Sequence, residues 1–385
     1  MQTMFKQLGW VFCLACSMQA LAQQAPSPRP WLAGAYVQAE VEAWSNGLPI
    51  LDLDGDWGHG YERRSGSQRA YVTGRFEAGA AFRWPLLETA EPWRMGVLMR
   101  ADGSARASGE AAQVLYHYQS RSNPDQPVTY NVDTDTVYWR GKGVALHAPS
   151  QSWGAFKLDM GWDHMTLQRM RSLQTQGTVS YNADDSYTYQ GTLRDDNATA
   201  HQHFLAPPAA RGQGDALSLS LSWARADEVA RSSMGAWMPD KFKLKIDDVW
   251  SRLSWAGVNG DDAVLNSNVA TRTPDGYIEY QAAINGLYTR RGLVERIPMS
   301  TQVQMAWTRN SGEWTLRVKS RLGLMQQWLG WQQKGAVAWR VEAEPVAGAL
   351  RLGVDWGSLS ASVMSGRLDN GTHARGAQLA WGAPI

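Results

Sequence analysis

The sequence predicts an all-β protein built from long antiparallel strands. Apolar and polar residues alternate with a period of two over much of the chain, most regularly between Ala70 and Trp84, as they do along a strand with one apolar and one polar face. The alternating segments run for about 9 to 15 residues, whereas strands of soluble proteins usually have about five or six. No later stretch offers roughly 18 consecutive apolar residues, so helical membrane spans are not expected.

The first 22 residues have the organisation of a secretory signal peptide. Lys6 provides the positive charge, an apolar run follows, and Ala20–Ala22 forms the small-residue cleavage site. Both cysteines, Cys13 and Cys16, lie in this segment. Lipidation of Cys16 is the alternative, but Cys13 occupies a position where a lipidation motif usually has Leu. We therefore predict a signal peptide over 1–22 and a single domain over 23–385 without disulfide bonds.

The composition excludes two classes of protein. Lys and Arg number 37 and Asp and Glu number 36, so the net charge of +1 gives no reason to expect a nucleic-acid partner. Hydrophobic residues make up 44% of the chain and charged residues 19%. An intrinsically disordered chain would combine low hydrophobicity with a high net charge, so we expect a folded protein.

Tryptophan marks the ends of many apolar rows, as at Trp84, Trp162 and Trp223. This residue favours the membrane–water interface, where such residues form the aromatic girdle of a membrane barrel. The row that includes Gly74 and Ala78 is also thinner than the bulky inward face expected of a soluble sandwich. Together these features predict an antiparallel transmembrane β-barrel of about 14 to 16 strands. A soluble Trp-rich β protein that binds carbohydrate is the alternative.

In this pattern the chain resembles Gram-negative outer-membrane β-barrel proteins of the porin-like class, over the whole of 23–385. Alternation continues through Ala377, Leu379 and Trp381, although Ile385 stands where the last residue of such barrels is commonly aromatic. The resemblance implies the outer membrane as the location, contact with outer-membrane lipid, and insertion by the barrel-assembly machinery. It leaves the oligomeric state open.

Alternation and turn residues give sixteen candidate strands, and fourteen is the alternative count. The segment 178–194 is either one strand or a hairpin, because Asn182–Asp185 has turn composition. Single-chain bacterial barrels have even strand numbers. The candidates are 32–44, 69–84, 93–105, 111–120, 134–146, 153–164, 178–194, 216–224, 241–255, 276–288, 300–309, 313–324, 335–344, 347–356, 358–367 and 374–385. We expect 195–214 and 256–275 to be long outer loops.

Charged residues on the polar strand faces are the candidate functional residues. Arg317, Lys319 and Arg321 place three cations on one side of one strand, which would face the lumen of a barrel. Such charges either neutralise one another along the lumen wall or create a local preference for anions. The further lumen-facing candidates are Arg75, Glu77, Lys157, Asp159, Lys243, Lys245, Arg340, Glu342, Arg351 and Asp355.

The remaining motifs do not indicate a catalytic or metal centre. The carboxylates of Asp52–Asp56 lack the Gly and Glu that an EF-hand loop requires, and His201 and His203 have no third ligand nearby in sequence. The segments 165–174 and 326–333 are each apolar enough to lie at a membrane interface, and 165–174 reads either as a short amphipathic insert or as a continued strand. We predict no catalytic residue, metal or cofactor.

The leading functional hypothesis is an outer-membrane channel that passes a polar solute or a polymer, such as a polysaccharide, by diffusion. An outer-membrane enzyme or export component that acts on envelope lipid or exopolysaccharide is the alternative, and it would require an acid/base cluster near one rim of the barrel.

Overall fold

The computed structural model describes residues 32–50, 57, 60–83, 91–183, 186–198, 211–225, 238–267, 270–272, 278–280, 283–309, 312–367 and 371–382. Several sequence predictions therefore lie outside the described residues. These are the signal peptide over 1–22, Asp52–Asp56, His201, His203 and Ile385.

The described residues form nineteen strands and one helix. In chain order they are β1 (Leu32–Ser45), β2 (Gln68–Phe82), β3 (Trp93–Ala107), α1 (Gly109–Ser120), β4 (Val128–His147), β5 (Gln151–Trp153), β6 (Phe156–Tyr181), β7 (Tyr187–Asn197), β8 (Gly212–Ala224), β9 (Lys241–Asn266), β10 (Ala270–Arg272), β11 (Ile278–Tyr280), β12 (Ile284–Glu295), β13 (Ser300–Arg309), β14 (Gly312–Arg321), β15 (Leu324–Gln333), β16 (Val337–Glu344), β17 (Ala349–Trp356), β18 (Leu359–Ser365) and β19 (Ala374–Gly382).

The sheet closes into an antiparallel barrel of fourteen strand positions, because β1 pairs with both β2 and β19. Two of these positions are each shared by two consecutive strands. β7 and β8 pair with different halves of β6 and β9, and β12 and β13 pair with different halves of β9. The predicted fold class is confirmed, and the strand count is the lower of the two values considered.

The wall of the barrel has two very different heights. β4, β6 and β9 have 20, 26 and 26 residues. β7 pairs with the second half of β6 and of β9, and β12 pairs with the second half of β9. We call these five strands the tall wall. β14 to β19 have only seven to ten residues each, and we call them the short wall. The terminal end is where β1 begins and β19 ends, and the far end is the opposite rim.

The strand alternation places apolar side chains on the outside and charged side chains on the inside. Val97 and Met99 of β3 are 62% and 59% exposed, and Leu352 of β17 is 55% exposed. Glu77 of β2 is fully buried, and Glu342 of β16 is nearly so. This distribution is the reverse of that in a water-soluble fold. A single closed sheet with this exterior also contradicts the soluble sandwich alternative.

The predicted strand at 111–120 is wrong, because this segment forms the helix α1. Ser108 caps its first turn, where its Oγ accepts a hydrogen bond of 3.0 Å from the backbone N–H of Ala111. The helix ends at Arg121, whose φ of 52° is left-handed. Ala111 and Ala112 pack with outward-facing residues of β1, β2 and β3 near the far end. No helix in the described ranges has the length and apolar character needed to cross a membrane.

The structure also corrects two sequence predictions and decides two that had left alternatives open. The segment 326–333 is part of strand β15 (Leu324–Gln333), which the candidate list omitted, and 165–174 is the middle of β6 rather than an insert. The segment 178–194 is a hairpin formed by the end of β6 and most of β7. Residues 256–266, predicted as a loop, complete β9, and Asp195–Asn197 complete β7.

Candidate functional site: the barrel interior

Contacts between distant strands identify the inner face of the barrel. Arg321 of β14 forms a salt bridge of 2.6 Å with Asp102 of β3, and these strands are not neighbours in the closed sheet. Two such strands can meet only through the interior of the barrel. Because strand side chains alternate, Arg317 and Lys319 point into the same interior. Side chains from opposite walls therefore touch across the lumen.

Arg100 of β3 lies at the centre of a first group of buried charges. Its guanidinium donates two hydrogen bonds to the carboxylate of Asp248, of 2.7 and 2.5 Å. It also lies 3.4 Å from Asp163 and 3.8 Å from Asp102. Asp248 reaches this position because its φ of 59° breaks the regular alternation of β9. A local irregularity in a strand commonly re-aims a side chain in this way.

The Arg100 group continues toward the terminal end of the barrel. Arg75 of β2 joins Asp163 of β6 at 2.9 Å and Glu77 at 2.6 Å. Glu77 also accepts a hydrogen bond of 2.6 Å from the hydroxyl of Tyr36 and lies 2.7 Å from Nε2 of His147. The carboxylate of Glu77 is thus held by three side chains from three strands.

A second group of charges surrounds Glu42 of β1. Nζ of Lys319 lies 2.8 Å from both carboxylate oxygens of Glu42, and the hydroxyl of Tyr71 donates to the same carboxylate. Gln326 of β15 donates to Glu42 at 3.2 Å. Arg351 lies 4.0 Å from Glu42. This group joins β1 and β2 to three strands of the short wall.

Glu342 of β16 completes the charged layer of the short wall. It accepts hydrogen bonds from Arg317 and, at 3.3 Å, from Arg351. The guanidinium of Arg351 also lies 4.6 Å from the ring centre of Trp328, within the range of a cation–π contact. We call the Arg100, Glu42 and Glu342 groups together the ionic layer.

Apolar side chains fill much of the remaining interior beside the ionic layer. Leu98, Trp139, Met165 and Leu253 belong to a buried cluster on the inner face of the tall-wall side. A second cluster on the short-wall side includes Trp44, Tyr71, Trp328 and Met364. At this depth the barrel is packed with side chains from opposing walls.

A polar row crosses the inner face of the tall wall near the far end. Each member lies directly opposite the next in the strand register. The row borders a cavity of about 460 Å³, within the size range of small-molecule sites, which we call the vestibule. The row consists of Arg106, Asp135, Gln174, Arg194 and Asp262, on β3, β4, β6, β7 and β9 in turn.

The vestibule carries both signs of charge in fixed positions. Arg106 pairs with Asp133 at 3.1 Å, and Arg291 pairs with Asp262 at 2.8 Å. One carboxylate oxygen of Asp135 is buried and has no hydrogen-bond partner among the described residues. A buried acceptor of this kind can receive a hydrogen bond from a solute at little further desolvation cost.

The structure places the other predicted lumen residues along the terminal half of the interior face. Lys157 pairs with Glu91 at 2.7 Å, Asp159 accepts a hydrogen bond from Ser150, and Asp355 accepts one of 2.9 Å from Gln332. Lys245 pairs with Asp247 at 3.0 Å. Lys243 shares that face of β9, and Nε of Arg340 has no hydrogen-bond partner in the described structure. Whether a solute contacts any of them remains a prediction.

Sequence reasoning did not select Arg100, Asp102, Asp163 or Asp248, which form the centre of the ionic layer. A weak signal exists, because Arg100 and Asp102 occupy alternate positions of β3 and so share a face. Nothing in the sequence indicates that Asp248 points inward, since its direction depends on the local irregularity of β9.

Two acid–histidine pairs lie on the strands, in addition to the loop pair of His373 and Glu62. His147 lies beside Glu77 in the interior, and His164 lies 2.9 Å from Asp215 on the outer face of β6 and β8. In the described part of the chain, the hydroxyl of Tyr36 contacts the first pair, but it donates to Glu77 and not to His147. The described chain also holds no group of three or more His, Cys, Asp and Glu arranged for a metal.

A buried histidine links two far-end loops outside the strands. Nδ1 of His373 lies 3.1 Å from the carbonyl oxygen of Leu48, and its Nε2 lies 3.4 Å from the carboxylate of Glu62. Burial lowers the pKa of His373 below its usual value despite the nearby carboxylate. The hydrogen bond from Arg64 lowers the pKa of Glu62. At neutral pH the loops therefore meet through a neutral imidazole.

Comparisons with known proteins show no matching family model and no matching curated protein. A solved structure of a TodX deltaS2S3 mutant, a monoaromatic hydrocarbon channel, aligns at 9% identity over 92% of this chain and 90% of that chain, with a TM-score of 0.39. The transport unit of the autotransporter AIDA-I from Escherichia coli aligns at 7% identity over 94% of both chains, with a TM-score of 0.23.

Both TM-scores are too low to carry an argument about function. The architecture itself is decisive at the level of fold. An even number of antiparallel strands closes around a polar interior and presents an apolar exterior. The fold is that of an outer-membrane β-barrel.

Proposed function

We propose that this chain is an outer-membrane channel for a small polar solute. The solute enters the vestibule, and the ionic layer closes the path beneath it. The observation that carries the proposal is the ionic layer itself, in which charged side chains from opposite walls of an apolar-coated barrel meet across the interior.

Filling the interior of a barrel with buried charges costs desolvation free energy. Replacing a buried ion pair by well-packed apolar residues is often neutral or stabilising, and this barrel does pack part of its interior with Leu98, Met165 and Leu253. A structural plug would not need the charged residues beside them. Polar interiors and rings of charge are typical of channels.

In this proposal the path opens by movement of side chains, both the charged ones of the ionic layer and the apolar ones packed beside them. Arg321 and Lys319 reach their partners with long, flexible side chains, so rotation of a few side chains would separate the two walls. The opened path would be lined by cations and carboxylates in similar number. The vestibule row also carries both signs, at Arg106, Asp135, Arg194 and Asp262. We therefore propose a neutral or zwitterionic polar solute rather than an anion.

Planar-bilayer conductance of the purified protein tests the channel. The wild type should carry little steady current, with occasional openings. The double variant Arg321→Ala/Asp102→Ala removes both partners of a cross-barrel pair and leaves neither charge alone, so its current should rise. The control is Arg64→Ala/Glu62→Ala, which removes an exposed pair of the same kind and should behave as the wild type.

Liposome swelling then tests the solute class with glucose, proline and citrate as probes. The double variant should admit glucose and proline faster than citrate. If the wild type and the double variant both fold, as shown by the mobility difference between unheated and boiled samples in gels, and neither conducts, the channel proposal is rejected.

A further inference from the structure

Three cations form an exposed cluster on the outer face of the tall wall. Arg140 and Lys142 lie on β4, and Arg169 lies on the neighbouring strand β6. Lys142 is directly opposite Met99, and Arg140 is directly opposite Ala101, so the cluster shares the outer face of β3. All three side chains are exposed. We call them the basic patch.

The basic patch differs from the ionic layer because no carboxylate among the described residues forms a salt bridge with Arg140, Lys142 or Arg169. Arg140 and Arg169 are directly opposite in the β4–β6 register, and like charges in that position repel each other. The carboxylates of the same face are engaged elsewhere. Asp215 lies 2.9 Å from His164, and Asp195 pairs with Arg171 at 2.8 Å.

The backbone builds this arrangement into the wall. The β4–β6 register shifts between Arg140 and Gly141, where Arg169 and Leu167 are the successive partners. Gln168 is thus an extra residue, and both Gln168 and Arg169 are exposed. Such a bulge re-aims side chains and is commonly a functional feature. The guanidinium of Arg169 also lies 5.9 Å from the ring centre of Tyr138, which limits its freedom.

The basic patch borders the apolar exterior of the same strands. Met99, which is 59% exposed, lies beside Lys142. Toward the terminal end lie Val97, Val144 and Trp162, which are 62%, 41% and 39% exposed. An apolar surface of this kind faces acyl chains in a membrane, and the residues just beyond it face lipid headgroups. Cations at that level attract anionic headgroups.

We propose that the basic patch binds the phosphate groups of a membrane lipid in the leaflet at the far end. Arginine suits this ligand, because its planar guanidinium binds phosphate with two parallel hydrogen bonds, and Gln168 adds an amide donor. The adjacent apolar surface would contact the acyl chains, which a free phosphate ion does not have. The proposal rests on the membrane location in the proposed function, but not on channel activity.

Native mass spectrometry of the detergent-purified full chain tests this proposal. The probe is diphosphorylated lipid A, with monophosphorylated lipid A and phosphatidylcholine for comparison. The patch variant is Arg140→Gln/Lys142→Gln/Arg169→Gln. The control variant is Arg63→Gln/Arg290→Gln/Lys334→Gln, which removes the same charge from exposed positions outside the patch.

The wild type and the control variant should bind diphosphorylated lipid A most tightly. The patch variant should bind it on the order of 100-fold more weakly, from the usual contribution of each basic residue near a membrane surface. Equal binding by the patch and control variants would overturn the proposal. So would displacement of the lipid from the wild type by inorganic phosphate at matched concentration.

Bilayer conductance separates this proposal from the channel. The patch variant should keep the conductance of its parent while it loses lipid binding. If no form of the protein conducts but the lipid result holds, only the channel proposal fails. The single variants Arg169→Gln and Arg169→Lys separate the charge of Arg169 from its paired hydrogen bonds. Lysine keeps the charge but not the paired hydrogen bonds, so lipid binding by Arg169→Lys should lie between that of the wild type and that of Arg169→Gln.

Discussion

The tall wall and the short wall are built from the same alternating pattern, but they differ in strand length and in the groups of polar residues that they carry. The short wall has strands of seven to ten residues, close to the 9–11 residues that a tilted strand needs to cross a bilayer. Its outer face is apolar along its height, and its inner face supplies Arg317, Lys319, Arg321 and Arg351 to the ionic layer.

The tall wall continues well beyond the length needed for a membrane, with 26 residues in β6 and in β9. Its far half carries the polar row of the vestibule on the inside, and its outer face carries the basic patch opposite Met99 and Ala101 of β3. The difference shows that strands of one closed sheet can have very different heights. Residues beyond the length needed for a membrane are free to build sites at the rim.

The largest effect is expected for Arg100, at the centre of the ionic layer. Arg100→Ala leaves Asp248 buried without a salt-bridge partner among the described residues, while Asp163 keeps Arg75. The unfolding free energy should therefore fall by about 3–5 kcal/mol. Urea unfolding in detergent micelles measures it, with the exposed Lys334→Ala as control. A loss no larger than that of the control would show that water already solvates the ionic layer.

A charge placed on the outer face should distinguish the two walls. Leu352→Arg on β17 puts a cation on the apolar face of the short wall, which should cost about 2–4 kcal/mol if the site lies near the bilayer centre. Ile284→Arg on β12 of the tall wall replaces a side chain that is more exposed, 65% against 55%, yet should cost about 0–1 kcal/mol because it lies beyond the membrane.

Unfolding from lipid vesicles measures both free energies. Equal losses for the two variants would mean that the tall wall is embedded to its full height, and the boundary between membrane strand and rim would then have to move.

A substitution at Asp135 tests whether the solute enters through the vestibule. Asp135→Ala removes the buried oxygen that has no partner in the described structure, and a lost hydrogen bond of this kind should lower the rate of glucose entry about tenfold. Liposome swelling in the Arg321→Ala/Asp102→Ala background measures it. Asp133→Ala is the matched control on the same strand, because its carboxylate is already paired with Arg106. Identical rates for both would place solute entry elsewhere.

The smallest effect concerns pH at the far-end loops. Burial lowers the pKa of His373, so protonation is easier in the unfolded chain, and stability should decline as pH falls through about 6.5 toward 5. Glu62 has a lowered pKa and stays ionised in that window, which partly offsets the loss. Thermal unfolding of wild type and His373→Gln should differ in pH dependence. An unchanged pH profile in the variant would contradict this assignment.

The sequence predicts the strands correctly where one face of the strand is apolar, and it fails where both faces are mixed. β15 was missed because Trp328 points inward beside Gln326 while Leu329 points outward, which hides the alternation. Helix α1 was taken for a strand because its aromatic residues fall at even spacing, whereas Ser108 and the alanines after it form a helix start. The first error comes from a strand with mixed faces, and the second from a period read without the capping signal of a helix.

The sequence alone determined the all-β class, the apolar exterior and the set of inward-facing charges at Arg317, Lys319 and Arg321, because strand alternation is a local property of the backbone. Only the tertiary structure decided which charges meet. Arg321 pairs with Asp102, more than 200 positions away in the chain, because the sheet closes and brings β14 opposite β3. The uneven height of the wall has the same origin, since it depends on how the halves of β6 and β9 find different partners. Closure is a property of the whole sheet, and no single strand encodes it.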